Sequence, residues 1–133
     1  MNTIEAKVKE IQSVENLNIV KFDFHKTTLI MMSLELNKDV KIESKIKLST
    51  KSTHIGIAKS FNGDISYSNQ LKAKIINIDS GKLLSSVTVK VYDSLLESII
   101  TKESCQKMNL QVGETITVFI EANELSILEI LND

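Results

Sequence analysis

Apolar and polar residues alternate with period two over most of the chain, and the alternating runs predict strands. From Thr3 to Ile11, Ile4, Ala6 and Val8 fall on one side and Glu5, Lys7 and Lys9 on the other, the pattern of a half-buried strand. Asn18 to His25 sets Val20, Phe22 and Phe24 against Ile19, Lys21 and Asp23. Leu29 to Met32 predicts a third strand, Leu34 to Asn37 a helical turn, and Ile46 to Leu48 and Ile55 to Ile57 two more short strands. Phe61-Asn62-Gly63-Asp64 is a turn signal and reads as a linker. The series then begins again. Leu71 to Ile78 predicts a strand and Asp79-Ser80-Gly81-Lys82 a turn; Val87, Val89 and Val91 alternate with Thr88 and Lys90; Leu95 to Thr101 is the next strand. Lys102 to Leu110 reads as a helix, with Cys105 and Met108 at i,i+3 spacing. Val112-Gly113-Glu114 reads as a turn, and Thr115 to Ile120 and Leu125 to Ile130 as the last strands.

The two series are one pattern used twice. At an offset of 70, Ile46 falls on Ile116, Leu48 on Val118, Ile55 on Leu125 and Ile57 on Ile127. At an offset of 67, Asn2 falls on Asn69, Ile4 on Leu71, Val8 on Ile75 and Ile11 on Ile78. A three-residue insertion in the second copy accounts for the change, and the pattern places it between Tyr92 and Ile99, opposite His25 to Leu29. A duplicated module predicts an all-β chain of two tandem OB-like five-stranded barrels, residues 1–62 and 65–133. Each would carry a short helix or helical turn after its third strand. The competing reading is chance matching of apolar positions in two β-rich halves. Modules of about 65 residues have marginal cores, so they are expected to bury faces against other modules.

Composition narrows the chemistry. The chain has 133 residues, 42% of them hydrophobic, and all 16 of its basic residues are lysines. Cys105 is the single cysteine, so no internal disulfide forms, and with only His25 and His54 besides, a zinc or iron centre is not expected. There is no apolar run long enough to span a membrane, and the alternating start MNTIEAKVKE is wrong for a signal peptide, so the cytoplasm is the expected location. Residues 1–64 hold ten lysines and eight acids, a net of +2; residues 65–133 hold six and nine, a net of −3. Neither half has the basic patch of a nucleic-acid binder, and aromatic platforms are scarce. No Gly-rich phosphate loop, Gly-x-Ser-x-Gly or His-Glu-x-x-His occurs, so catalysis is not expected.

One stretch carries a family resemblance. Ser66-Tyr67-Ser68-Asn69-Gln70-Leu71 resembles the Ser-Ala-Arg-Asn-Gln-Leu opening of the molybdopterin-binding-protein (Mop) family, also called TOBE domains. Thr101-Lys102-Glu103-Ser104 is similar to the family's Thr-x-Glu-Ser segment, and Leu110-Gln111-Val112-Gly113-Glu114 to its Leu-x-Val-Gly-Asp turn. A family strand ending in Ile-Lys-Ala-Ser is matched by Thr50-Lys51-Ser52-Thr53 in the first copy and by Ile120-Glu121-Ala122-Asn123 in the second. The resemblance implies a cytoplasmic protein that binds molybdate or tungstate for storage or homeostasis. Its sites would lie where modules or subunits meet, in a closed homo-oligomer, most simply a trimer. It also implies similarity to the effector half of molybdate-responsive regulators.

Molybdate is a tetrahedral dianion. It needs hydroxyls, backbone N–H groups and ammonium groups rather than direct coordination by Cys or His. The resemblance places Ser66, Ser68, Asn69, Lys51 and Ser52 in one such donor set, and Thr101, Lys102 and Ser104 in a second. Two departures cut against it. Ser68 stands in the family's arginine slot, and Glu121 stands in the lysine slot of the second copy. Each residue also has a local reading. Ser66 and Ser68 suit a turn, Lys51 a solvated strand end, Thr101 and Ser104 a helix N-cap, and Cys105 a core position. Two other functions compete: an interaction or regulatory module that keeps the assembly without the ligand, and an OB-type nucleic-acid binder.

Overall fold

The structure, a computed structural model, describes residues 2–131. The first copy contributes β1 (Asn2–Val14), β2 (Leu17–Phe24), β3 (Thr27–Ser33), β4 (Lys45–Thr50) and β5 (Gly56–Ala58). The second contributes β6 (Asn69–Ser80), β7 (Leu84–Val91), β8 (Ser94–Thr101), β9 (Thr115–Ile120) and β10 (Ser126–Ile130). One helix, α1 (Lys102–Lys107), follows β8, and short 3-10 turns, Ser52–His54 and Ala122–Glu124, follow β4 and β9. The chain is therefore all-β with two five-stranded antiparallel sheets, as the alternation predicts.

The sheets do not follow the order of the chain. Their strand orders are β10-β4-β1-β2-β3 and β5-β9-β6-β7-β8. Each copy gives its fifth strand to the other: Gly56 pairs with Phe119 and Ile57 with Val118, while Ser126 pairs with Ser49 and Ile127 with Leu48. The exchange is reciprocal, because these pairs are related by the sequence offset of 70. Since β5 and β6 both flank β9, residues 59–68 must cross over it. Phe61 and Tyr67 do so with edge-on contacts to the Phe119 ring, at centroid distances of 5.1 and 6.4 Å.

The repeat holds down to the irregularities. Both long strands slip register, β1 between Val8 and Glu10 and β6 between Ile75 and Asn77. Val8 N–H donates to Ser44 O and Glu43 N–H to Val8 O; Ile75 N–H donates to Glu114 O and Gly113 N–H to Ile75 O. These bulges bend each strand so that it can serve two neighbours at once.

The inserted residues lie elsewhere than the apolar pattern predicts. Asn18 pairs with Ser33 and Ser85 with Ile100, so the offset of 67 persists to the ends of β3 and β8. The extra residues fall after these strands and build α1. The sequence pattern misplaces them because apolar residues crowd both segments, and a shifted alignment overlaps equally well. In the first copy the corresponding stretch, 34–37, is a bend and open chain, followed by a turn closed by Val40 N–H to Asn37 O at 3.1 Å. In the second, Thr101 caps α1 by accepting from Ser104 N–H at 3.1 Å. Lys59, from the crossing segment, donates to Met108 O and Asn109 O at 3.0 Å each and so closes the helix C-terminus.

One core joins both copies. Val8, Val20, Phe22, Leu29, Ile46 and Leu48 of the first and Ile75, Val87, Val89, Leu96 and Val118 of the second belong to a single buried cluster. Cys105 is buried within it, so the thiol acts as a small apolar group.

Candidate functional site

The fifth-strand exchange creates two equivalent junctions, one at each asparagine of the repeat. Asn2 starts β1 opposite Thr50, and Asn69 starts β6 opposite Ile120. Each side chain reaches the third strand of the other copy. Asn69 Nδ2 donates to Ile30 O at 2.9 Å, and Asn69 Oδ1 accepts from Ile30 N–H at 2.7 Å. Asn2 Nδ2 donates to Glu97 O, and Asn2 Oδ1 accepts from Glu97 N–H, both at 2.8 Å. A carboxamide presents one donor edge and one acceptor edge, as a peptide does, and so substitutes for a missing strand partner.

The predicted donors divide between these junctions. Lys51 and Ser52 follow Thr50 and belong to the Asn2 junction; Ser66, Ser68 and Asn69 belong to the other, beside Ile120 and Glu121. The two groups thus flank strands of different sheets, β4 and β6, and the registers do not join them. Lys51, Ser66 and Ser68 are exposed, whereas Asn69 is fully buried and its side chain is engaged by Ile30. Glu121, in the position equivalent to Lys51, is next to Tyr67. Its carboxylate, first as a hydrogen-bond acceptor and then as a charge, raises the pKa of the phenol.

The Asn2 junction brings to Ser52 two polar residues that sequence reasoning does not single out, Ser86 and Glu97. Ser52 Oγ donates to Glu97 Oε1 at 2.9 Å and Ser86 Oγ to Glu97 Oε2 at 2.5 Å. These bonds, Ser86 first and Ser52 second, hold the Glu97 carboxyl below its ordinary range. Two residues on, His54 Nδ1 lies 2.6 Å from Glu124 Oε2, an ion pair when the imidazole is protonated. A cavity of about 230 Å³ opens here, lined by Ser49, Thr50, Lys51, His54, Asn123, Glu124 and Ser126. The only sequence signal for these contacts is the offset of 70 that relates His54 to Glu124; nothing marks Glu97.

Thr101, Lys102 and Ser104 stand together at the start of α1. Thr101 Oγ1 donates to Ser104 Oγ at 2.9 Å and accepts from Ser104 N–H, so both hydroxyls serve the cap. A cleft of about 630 Å³ beside them is lined by Lys82, Leu83, Leu84, Thr101, Lys102, Glu103 and Gln106. Among the described residues no group of three His, Cys, Asp or Glu side chains could hold a metal ion, and no helix is long and apolar enough to cross a membrane.

Comparison with known proteins bears on this geometry. Residues 65–127 match the model of the TOBE domain. The second copy is thus similar to a TOBE domain. Beyond that segment the likeness is structural. A structure of the cytoplasmic molybdate-binding protein ModG, with molybdate bound, superposes with a TM-score of 0.88 over 95% of this chain and 94% of that one, at 17% identity. The fold of this chain is therefore similar to that of ModG along nearly its whole length. A molybdate-binding protein from Sporomusa ovata matches 50% of this chain and 100% of its own, at 25% identity and a TM-score of 0.49. A comparison with curated proteins returns no match.

Proposed function

We propose that this chain binds a tetrahedral oxyanion, molybdate or tungstate, in the cytoplasm, for storage or homeostasis rather than catalysis. The observation that carries the reading is the fold likeness over 95% of the chain to a protein crystallised with molybdate. The donor chemistry supports it: Lys51 and the serine hydroxyls are of the kind that hold a dianion without direct metal coordination. Because Lys51 and Ser52 follow β4 while Ser66 and Ser68 precede β6, strands of different sheets, a second chain completes the site in this reading. That requires a closed homo-oligomer, for which a trimer of two-copy chains is the simplest arrangement. Thr101, Lys102 and Ser104, with Lys82 across the cleft, form a second and weaker donor group.

A second reading is favoured by one specific observation. Ser52 is engaged by Glu97, Asn69 by Ile30, and the Lys51 equivalent is Glu121. A chain with so many donors engaged internally fits an assembly or regulatory module without the ligand. Equilibrium dialysis against molybdate or tungstate, followed by elemental analysis, separates the two. Retained molybdenum or tungsten in the presence of excess sulfate supports storage; none supports the assembly module.

A further inference from the structure

The two junctions share a backbone geometry but not their side chains. Around Asn2 stand Ser52, Ser86 and Glu97; the residues equivalent to these around Asn69 are Ala122, Ile19 and Ile30. One junction is thus polar where its twin is apolar. The polar one is closed on itself. Asn2 Nδ2 lies 3.4 Å from Ser52 Oγ, Ser52 Oγ donates to Glu97 Oε1 at 2.9 Å, and Ser86 Oγ donates to Glu97 Oε2 at 2.5 Å. A serine hydroxyl has one proton to give. While Glu97 is ionised and in place, neither Ser52 nor Ser86 can donate to an external anion. The carboxylate would also repel a dianion arriving beside Lys51.

We propose that Glu97 is a specificity-determining residue: its carboxylate occupies the hydroxyl donors of the Lys51–Ser52 site and admits only an anion able to displace it. The proposal rests on the oxyanion-binding reading above. An arriving oxyanion must offer Ser52 a better acceptor than Glu97 does, and must tolerate or expel its charge. Weakly accepting anions fail on both counts. The twin junction has Ala122 and Ile30 instead and needs no such gate, because it has no hydroxyl at the equivalent position.

The test is calorimetric titration of the full chain with molybdate, tungstate and sulfate, in wild type, Glu97→Gln, Glu97→Ala and the double variant Glu97→Ala/Ser52→Ala. Glu97→Gln keeps the shape and removes the charge. Glu97→Ala also frees both hydroxyls, and should tighten anion binding about tenfold, the effect of one regained hydrogen bond to a charged group. The double variant should lose that gain. In wild type, the Glu97 carboxyl followed by NMR should titrate below an ordinary glutamate, and Ser52→Ala should move it up. A gain that is largest for the anion the wild type binds most weakly, and that disappears with Ser52, supports the proposal. An equal gain for sulfate, molybdate and tungstate leaves their ratio unchanged and overturns the role of Glu97 in specificity; a wild type that binds neither molybdate nor tungstate more tightly than sulfate counts against the molybdate reading instead. No gain for any anion in either Glu97 variant, or a gain that survives loss of Ser52, overturns it.

Discussion

Asn69 holds both backbone polar groups of Ile30, donating to its carbonyl at 2.9 Å and accepting from its N–H at 2.7 Å. The side chain is fully buried and ties the start of β6 to the third strand of the other copy. Asn69→Ala leaves two backbone groups of Ile30 without their partner. The cost should be about 2–3 kcal/mol, since each unsatisfied group costs about 1–3 kcal/mol and Ile30 is only partly buried. Urea unfolding measures it. A loss smaller than that of an exposed Ser66→Ala control would contradict the clamp.

Thr50 and Ile120 are equivalent positions with different chemistry. Thr50 is 4% exposed, and its Oγ1 is buried with no hydrogen-bond partner among the described residues. Ile120 shows that an apolar side chain fits the same place in the twin sheet. Thr50→Val keeps the branched shape and removes the orphan hydroxyl, so it should stabilise the chain by about 1 kcal/mol. Thermal denaturation decides; a lower Tm would mean that the hydroxyl has a partner in solution.

Glu43 and Gly113 form the same bulge contact, with φ of 77° and 93°. A left-handed conformation strains a residue with a Cβ and not a glycine. Glu43→Gly should therefore stabilise by roughly 0.5–1 kcal/mol despite the extra freedom of the unfolded chain and loss of the exposed Lys7 pair. The urea midpoint checks the sign.

Acid should weaken the fold through Glu97 and Glu114. Hydrogen bonds from Ser86 and then Ser52 lower the pKa of the first, and chiefly the bond from Lys59 lowers that of the second. A depressed folded pKa gives stability that is present above the unfolded value, about 4.3. That stability is lost as pH falls through the folded value below it. Glu97→Gln should flatten the stability profile in that window and leave the Glu114 contribution. An identical acid limb in wild type and Glu97→Gln would show that the hydroxyl bonds do not shift the carboxyl.

Much of this fold is legible in the chain. Period-two alternation gives the strands, and the two offsets give the repeat. The exchange of β5 and β10 is not legible, because Ile55-Gly56-Ile57 and Leu125-Ser126-Ile127 have the same pattern whichever sheet they join. Local pattern specifies that a strand forms, not which edge it completes. The helix is announced by Thr101 and Ser104, but its extra residues are hidden by apolar crowding at Ile99 and Ile100. The candidate site is legible as residue types only. That Ser52 faces Glu97, 45 positions away, depends on the exchange.

Lys51 and Glu121 precede equivalent 3-10 turns with opposite charge. If an oxyanion sits beside the first, Lys51→Ala should weaken its binding by about 1.5–3 kcal/mol, the range for a hydrogen bond to a charged group. Glu121→Lys should strengthen binding or add a site. Calorimetric stoichiometry distinguishes these results from a general change in surface charge, which would move affinity but not the number of sites.

The most direct test of the oxyanion reading is a competition titration of the wild-type chain with molybdate, tungstate, sulfate and phosphate at one ionic strength, with the assembly state followed by light scattering. The account predicts a homo-oligomer that binds molybdate or tungstate at least about tenfold more tightly than sulfate, a difference of about 1.4 kcal/mol. A chain that stays monomeric, or that binds neither oxyanion more tightly than sulfate, would contradict it.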